Sequence, residues 1–406
     1  MKKVLIIIVI FILIGTSYLF YTNNSNKKKE IEETNKISEI KEKYNEYVST
    51  NKDSNLYDLN LNKIGSISKD VYLELESIKD EFFKIKGMDY YIYYEDINKE
   101  AKKELNNRHK YYIVWNENVI TNDITKFYDE EDNLVFELNK SFDLPIIIKD
   151  KDRYGVEYNN VLYYVKDIKE VKKSNNTDVK TRDNIRTLTY HTVYDPKIEK
   201  CTSIEICHPI SQFEEQMKYL HDNNYLTLTL EEVEMFLDKK IRIPLKTIAL
   251  TLDDGIFLHN SIPLVEKYKV YATFFIITSR TDVTKYMDSP YARFESHSDN
   301  LHNNYKCPLN GPSSQGGQML CEKKENIVKD LKLSQDKLNG SYYFAYPFFD
   351  FNDNAKAALK EAGFKMAFIG QWGTNGYSTY NTDRFMVRRK TVFGNLKLNG
   401  FIDYLK

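Results

Sequence analysis

The sequence lacks an excess of charge of either sign. Its 406 residues contain 58 lysines and arginines against 59 aspartates and glutamates, which gives a formal net charge of −1. Without a basic surplus there is no electrostatic argument for a nucleic-acid partner. Cysteine is also scarce, with four residues and no Cys-x-x-Cys spacing, which argues against a metal site built from thiolates. Any catalytic or metal-binding function must therefore depend on other residue types.

The N-terminal residues lack the small-x-small motif at which a secretory signal peptide is cleaved. An apolar run over 4–21 follows two lysines, and its length suffices to span a thin hydrocarbon core. A charged stretch with sparse apolar residues comes next. We expect an uncleaved, single-pass membrane anchor over 1–22 and a helical stalk over 23–51, with a cleaved signal peptide as the alternative.

The four cysteines fall into two locally spaced pairs. In an exported chain an even number of cysteines permits disulfides, here with three possible connectivities. Exported thiols tend to oxidise. We therefore expect Cys201 to bond to Cys207, and Cys307 to bond to Cys321.

An internal repeat is visible before the second half of the chain. The segments 83–97 and 154–168 are similar at an offset of 71 residues, and each has a hairpin signal between alternating strands. This β-rich stretch, 52–172, weakly resembles a pair of bacterial SH3-like modules. Such modules on exported enzymes often bind wall polymers, and a simple spacer is an equally open interpretation.

Two carboxylates and two histidines carry the strongest chemical signal. Asp253 and Asp254 follow an apolar run that reads as a buried parallel strand, and α/β barrels place their active sites at such strand ends. His297 and His302 lie beyond the next strand, five residues apart, a spacing that favours a loop over one face of a helix. Two histidines and one aspartate suit a catalytic Zn²⁺ or a similar divalent ion. The second aspartate is then left to act on water.

From about residue 187 to 406 the chain resembles the catalytic domain of the polysaccharide deacetylases, the NodB-homology family or carbohydrate esterase family 4. Thr251-Leu252-Asp253-Asp254-Gly255 stands for the family's Thr-Phe-Asp-Asp-Gly, and the His-Ser-x-x-x-His motif from His297 matches the poly-N-acetylglucosamine deacetylase branch. The resemblance implies Asp253 as general base. It implies a metal site, for Zn²⁺ or else Co²⁺ or Ni²⁺, formed by Asp254, His297 and His302.

The resemblance extends to three further residues. His191, in a Tyr-His pair that opens the domain, fits the place of the general acid. Phe348, in Phe-Ala-Tyr-Pro-Phe, corresponds to the backbone N–H that holds the oxyanion. Phe349 replaces the family's glycine, and a positive φ would strain it there. Arg389 corresponds to an arginine that orients the base, a role that Arg388 could also fill.

These expectations describe an α/β protein, whose distorted (β/α)7 barrel follows small all-β modules and a transmembrane helix. The function expected is extracellular, metal-dependent removal of acetyl groups from N-acetylglucosamine residues of peptidoglycan, with a poly-N-acetylglucosamine exopolysaccharide as the close alternative. An inactive sugar-binding or wall-tethering protein is the second class of function, and the complete ligand set argues against it. The expected segments are an anchor over 1–22, a stalk over 23–51, β modules over 52–172, a linker over 173–186 and a catalytic domain over 187–406.

Overall fold

The computed structural model describes residues 27–29, 31, 33–101, 115–159, 161–174, 180–203, 206–308, 316–370 and 376–406. The predicted membrane anchor lies outside these residues. No helix in the part of the chain that is described combines the length and the apolar character needed to cross a bilayer. The described residues fold into two compact units, an N-terminal unit within Met1–Asn107, Asn118–Leu144 and Asp152–Lys172, and a C-terminal unit within Arg108–Glu117, Pro145–Lys151 and Lys173–Lys406.

The strands between residues 47 and 173 form one sheet whose order is β1-β4-β5-β6-β2-β3-β9-β8-β12-β11-β10-β7-β13. The strands are β1 Tyr47–Ser49, β2 Ser54–Tyr57, β3 Lys63–Ile67, β4 Tyr72–Lys79, β5 Phe82–Ile85, β6 Tyr91–Tyr93, β7 Glu117–Thr121, β8 Thr125–Tyr128, β9 Leu134–Leu138, β10 Asp143–Asp150, β11 Arg153–Tyr158, β12 Val161–Val165 and β13 Ile168–Lys173. Strand β1 thus begins inside the range predicted as stalk. Helical residues precede it, up to residue 43.

The 71-residue repeat predicted from one hairpin is confirmed and extends over more strands. Strands β2, β3 and β4 begin at residues 54, 63 and 72, and β8, β9 and β10 begin at 125, 134 and 143. The turn chemistry repeats as well, because the Asp58 carboxylate accepts from the Asn62 N–H at 2.9 Å and that of Asp129 accepts from the Asn133 N–H at 2.7 Å. The resemblance of these modules to SH3-like domains stays a prediction.

The two repeats pair through equivalent strands. Strands β3 and β9 run antiparallel, with Gly65 opposite Leu138 and Ser66 opposite Glu137. Ser66 and Glu137 are themselves 71 residues apart, so the repeats meet about a local pseudo-twofold axis. At Gly65 an added Cβ would lie 2.1 Å from the carbonyl oxygen of Glu137, so only glycine fits there.

The C-terminal unit is built on a parallel sheet that nearly closes into a barrel. Strands β15, β20, β21, β22, β23, β24 and β26 are neighbours in that order, and β27 returns to pair with β15. The strands of this unit are β14 Thr181–Arg182, β15 Asn184–Tyr190, β16 Thr192–Tyr194, β17 Cys207–Pro209, β18 Leu226–Leu228, β19 Ile243–Pro244, β20 Thr247–Leu252, β21 Ala272–Ile276, β22 Ala292–Ser296, β23 Tyr343–Ala345, β24 Met366–Ile369, β25 Tyr377–Thr379, β26 Val387–Arg388 and β27 Lys390–Thr391. The short strands β14 and β15 begin within the range predicted as linker.

Helices pack around this sheet: α1 Ile210–Asp222, α2 Leu230–Leu237, α3 Leu258–Lys267, α4 Lys324–Lys337, α5 Asp353–Glu361 and α6 Leu398–Leu405. Every residue of β20 is buried, as expected for a parallel strand covered on both faces. Helix α2 starts with a capping box, in which Thr229 and Glu232 exchange side-chain and backbone hydrogen bonds. The predicted disulfides, Cys201–Cys207 and Cys307–Cys321, are both formed.

Candidate active site

The predicted site residues come together at the carboxyl ends of the parallel strands. His191 follows β15, Asp253 and Asp254 follow β20, and His297 follows β22. Backbone hydrogen bonds fix two of these positions, from the Asp253 N–H to the Tyr190 carbonyl and from the His297 N–H to the Ile276 carbonyl. This is the edge where barrel enzymes place their catalytic groups.

Asp254, His297 and His302 form a candidate metal centre. One donor atom from each lies within 4.8 Å of the other two. The Oδ1 atom of Asp254 is 3.5 Å from Nε2 of His297 and 3.3 Å from Nε2 of His302. The same Oδ1 atom is buried, and no hydrogen-bond partner is found for it among the described residues. A divalent cation would satisfy this carboxylate oxygen, so the residues fit a metal ion.

Both histidines are held in the form that binds a metal. His297 Nδ1 lies 2.7 Å from the carbonyl oxygen of Ala345, to which it donates, so Nε2 is left as the ligand atom. Burial lowers the pKa of His297 to about 4 and also lowers that of His302. Neutral imidazoles are therefore available at neutral pH.

Sequence reasoning missed the residues that hold the loop between the two histidines. The Asp330 carboxylate, on α4, accepts hydrogen bonds of 2.8 Å from the N–H groups of Asp299 and Asn300. Lys337 pairs with the Asp299 carboxylate at 2.5 Å, and Thr278 donates to it at 2.6 Å. No sequence spacing connects these residues to the histidine motif, because helix α4 lies some thirty residues further along the chain.

Asp253 is the buried partner of an arginine. Arg389 binds it with two hydrogen bonds of 2.7 and 2.8 Å, and the side chains of Arg389 and Asp253 are 0% and 1% exposed. Burial opposes ionisation of Asp253, but Arg389, with help from His297 and His191, lowers its pKa to about 2. The sequence left two candidates for this role, and Arg389 rather than Arg388 makes the pair. Arg389 lies between β26 and β27, where the barrel closes.

His191 is half-buried beside this pair and has a second histidine nearby. Its Nδ1 atom is buried without a hydrogen-bond partner among the described residues. His208 lies on β17, opposite Val193 of β16, and is 1% exposed. Burial and then the charge of His191 lower the pKa of His208 to about 3. The parallel pairing of β16 and β17 brings His208 close to His191, and no sequence spacing predicts this pairing.

His208 should make the stability of the fold depend on pH. An unfolded chain protonates this histidine below its ordinary pKa of 6.5, whereas the folded chain resists protonation down to about 3. The free energy of unfolding should therefore fall as pH falls through this window, by on the order of 3 kcal/mol at pH 4. Urea denaturation of metal-free protein at pH 7, 5.5 and 4 measures this. The decline should be shallower in His208→Leu and unchanged in His221→Leu, a control in an exposed position. Equal slopes in wild type and His208→Leu would contradict it.

His259 follows the Asp253-Asp254 motif closely enough in sequence to be considered as the general acid, but it is engaged elsewhere. Its Nε2 atom lies 2.8 Å from the carboxylate of Glu199, and its side chain is 55% exposed. Glu199 also accepts from Asn260 at 2.7 Å. The structure therefore gives His191, and not His259, the position beside Asp253.

Phe348 and Phe349 lie in a turn after β23, and both have left-handed backbones, with φ of 58° and 60°. The N–H groups of Phe349 and Asp350 bond to the carbonyls of Tyr346 and Pro347 within the turn. Among the described residues no such bond is seen for the Phe348 N–H. The Phe348 ring lies 4.4 Å from that of His302. Phe349 therefore has the positive φ at which the sequence predicted that a bulky residue would be strained.

Known proteins are similar to part of this chain. Residues 240–367 match the family model described as polysaccharide deacetylase. A poly-beta-1,6-N-acetyl-D-glucosamine N-deacetylase of Staphylococcus aureus strain MSSA476 is 28% identical over 179 residues, which are 39% of this chain and 59% of the relative. The same protein of strain N315 matches to the same extent. The chain thus spans about three fifths of the length of these relatives.

Solved structures of deacetylases are similar to this chain at lower identity. A polysaccharide deacetylase from Bacillus cereus is 18% identical with a TM-score of 0.45, over 84% of this chain and all of that one. The Streptococcus pyogenes deacetylase PplD, in complex with acetate, is 20% identical with a TM-score of 0.43, over 55% of this chain and 98% of that one.

At this site a buried carboxylate, Asp253, stands beside a set of candidate metal-binding residues. The segment over 240–367 matches the polysaccharide deacetylase family, as the motifs in this region predicted.

Proposed function

We propose that the protein removes acetyl groups from N-acetylglucosamine residues of an extracellular polysaccharide, with a divalent metal ion as cofactor. The observation that carries the proposal is the juxtaposition of the Asp254, His297 and His302 cluster with the ionised, arginine-bound Asp253. One carboxylate is thereby assigned to the metal and the other to the water. The named substrate of the Staphylococcus aureus relatives favours poly-β-1,6-N-acetylglucosamine over the peptidoglycan expected first from the sequence.

Each group has a distinct role in amide hydrolysis. Asp253 accepts the proton of the attacking water, and Arg389 keeps its carboxylate ionised and oriented. The backbone N–H of Phe348 would donate a hydrogen bond to the oxyanion of the tetrahedral intermediate. His191 gives a proton to the departing amine. A divalent ion held by Asp254, His297 and His302 would acidify the water and polarise the acetyl carbonyl.

Acetate release from two polymers tests the proposal. Purified full-length chain should release acetate from poly-β-1,6-N-acetylglucosamine faster than from peptidoglycan. EDTA should abolish the release, and Zn²⁺, Co²⁺ or Ni²⁺ should restore it. Undiminished activity in a preparation shown to be metal-free would contradict the metal role, and faster release from peptidoglycan would restore the substrate expected from the sequence.

His191→Ala should lower the turnover number by about 10²- to 10⁴-fold while metal content stays unchanged, because the variant removes a proton donor and no metal ligand. Acetate release and metal analysis on the same preparation measure both quantities. His259→Ala is the matched control and should retain activity. If His259→Ala were inactive and His191→Ala active, the acid would have been assigned to the wrong histidine.

We also propose that the catalytic domain works outside the cell, tethered by the apolar N-terminal segment. The two disulfides support this location, since such bonds persist in oxidising compartments. Protease treatment of intact cells should degrade the domain, and membrane fractions should contain the chain. Recovery of the chain with reduced cysteines in the soluble cell interior would refute this location.

A further inference from the structure

We propose that the Phe349 side chain is a specificity-determining wall of the deacetylase cleft, against which the sugar ring that carries the reacting acetamide packs. This inference rests on the proposed function. It starts from a conflict in the structure, because a bulky residue holds a backbone conformation that favours glycine. A side chain kept at such a cost has a role that glycine could not fill.

The ring lies against the arginine that holds the base. The guanidinium carbon of Arg389 is 5.4 Å from the centre of the Phe349 ring and 5.5 Å from that of Phe275. Arg389 is in turn bound through two hydrogen bonds to Asp253. Phe275 is fully buried and so closes the inner side of this stack. Phe349 is half-buried and still has surface accessible to a ligand.

The same ring lies near the candidate acid. The centres of the Phe349 and His191 rings are 6.4 Å apart, at an interplanar angle of 71°. Phe349 therefore lies near the candidate acid and near the arginine that holds the base. A sugar whose acetamide reached Asp253 and His191 would pass over this ring.

The neighbouring ring does not share this position. Phe348 lies beside His302, and an added Cβ at Gly317 would meet its ring carbon at 2.7 Å. Two consecutive left-handed residues thus place one ring next to a metal ligand and the other next to the base and acid. The apolar C–H face of a pyranose buries against an aromatic face, as other apolar groups do. Phe349 is the ring of the pair that is placed for this contact.

Two substitutions separate the ring from the backbone strain. Phe349→Ala removes the ring and keeps a residue with a Cβ at positive φ, whereas Phe349→Gly removes both ring and strain. On an N-acetylglucosamine oligomer, both variants should show a KM raised by about tenfold or more. On p-nitrophenyl acetate, which has no sugar ring, kcat/KM should change less than about twofold.

Phe349→Gly should melt at a higher temperature than Phe349→Ala, and Phe349→Tyr should keep a wild-type KM. Tyr342→Ala, which removes an exposed aromatic ring at the other end of β23, is the control and should leave both substrates unaffected.

The outcomes are distinguishable. An unchanged KM for the oligomer in Phe349→Ala, with wild type active, overturns this inference and leaves the proposed function standing. Equal losses of kcat on both substrates also overturn it, because the ring would then only shield Asp253 and Arg389 from water. A wild type that releases acetate from p-nitrophenyl acetate but from no N-acetylglucosamine polymer overturns the proposed function, and this inference with it.

Discussion

Asp253→Asn should abolish acetate release without removing the metal, whereas Asp254→Asn should lose the metal and activity together. An amide cannot accept the proton of water, so Asp253→Asn should lower turnover by about 10²- to 10⁴-fold or more. Asp254 contributes one of the three protein donors in the cluster, and an amide oxygen is a weaker ligand than a carboxylate. Metal content per chain and acetate release, measured on the same samples, distinguish the two variants.

Folding must be verified for Asp253→Asn, because the substitution leaves the buried Arg389 without its countercharge. Thermal melting and near-ultraviolet circular dichroism at the assay temperature provide this control. A folded Asp253→Asn protein that lacks metal, beside an Asp254→Asn protein that retains it, would mean that the two roles have to be exchanged.

Arg389→Met should cost about 3–5 kcal/mol of unfolding free energy at pH 7, because it leaves a carboxylate buried and unpaired. Asp253 and Arg389 are both almost fully buried, so water cannot take over the role of the arginine. Urea denaturation of the metal-free protein measures the loss. Arg388→Met, at a half-buried neighbouring position, is the matched control and should change stability little. An equal loss in both variants would mean that the ion pair contributes nothing specific.

In Arg389→Met, the dependence of stability on pH that Asp253 contributes should change sign. In the wild type Asp253 has a pKa of about 2, below its ordinary value of 3.8, so its stabilisation is present above pH 4 and is lost as pH falls towards 2. Without Arg389, burial should raise the pKa above the unfolded value. The contribution of Asp253 to stability would then be greatest at low pH and would decline as pH rises. A double variant, Asp253→Asn with Arg389→Met, should cost less than the sum of the single variants, because the two residues contact each other.

Helices with a clear apolar period could be predicted from the sequence to within a few residues. The sequence reads as a helix over 212–223 and another over 324–338, and the structure has these helices at Ile210–Asp222 and Lys324–Lys337. The aspartates after β20 and the histidine after β22 were also predictable, since a polar motif that follows an apolar strand fixes its own place in a barrel.

Features that depend on distant strands could not be predicted in this way. His208 reaches His191 only through the pairing of β16 with β17. The choice between Arg388 and Arg389 depended on where the chain leaves one neighbouring strand for another. Arg388 pairs with β24, and the residue after Arg389 pairs with β15. The support of the histidine loop by Asp330 is likewise a tertiary contact. Sequence periodicity specifies which face of an element is buried, but not which element covers it.

The β3–β9 pairing of the two repeats within one chain could not be replaced by a pairing of two β9 strands from different chains. If the second repeats of two chains paired through β9, the equivalence at 71 residues would put Phe136 in the place of Gly65, where any Cβ lies 2.1 Å from a carbonyl oxygen. Glu137 would also face a second Glu137, and like charges opposite each other destabilise a sheet. Strand exchange through this repeat is therefore excluded by sterics and by charge. Neither obstacle arises when the first repeat faces its own copy, so the sequence of the second repeat is the one that opposes such pairing.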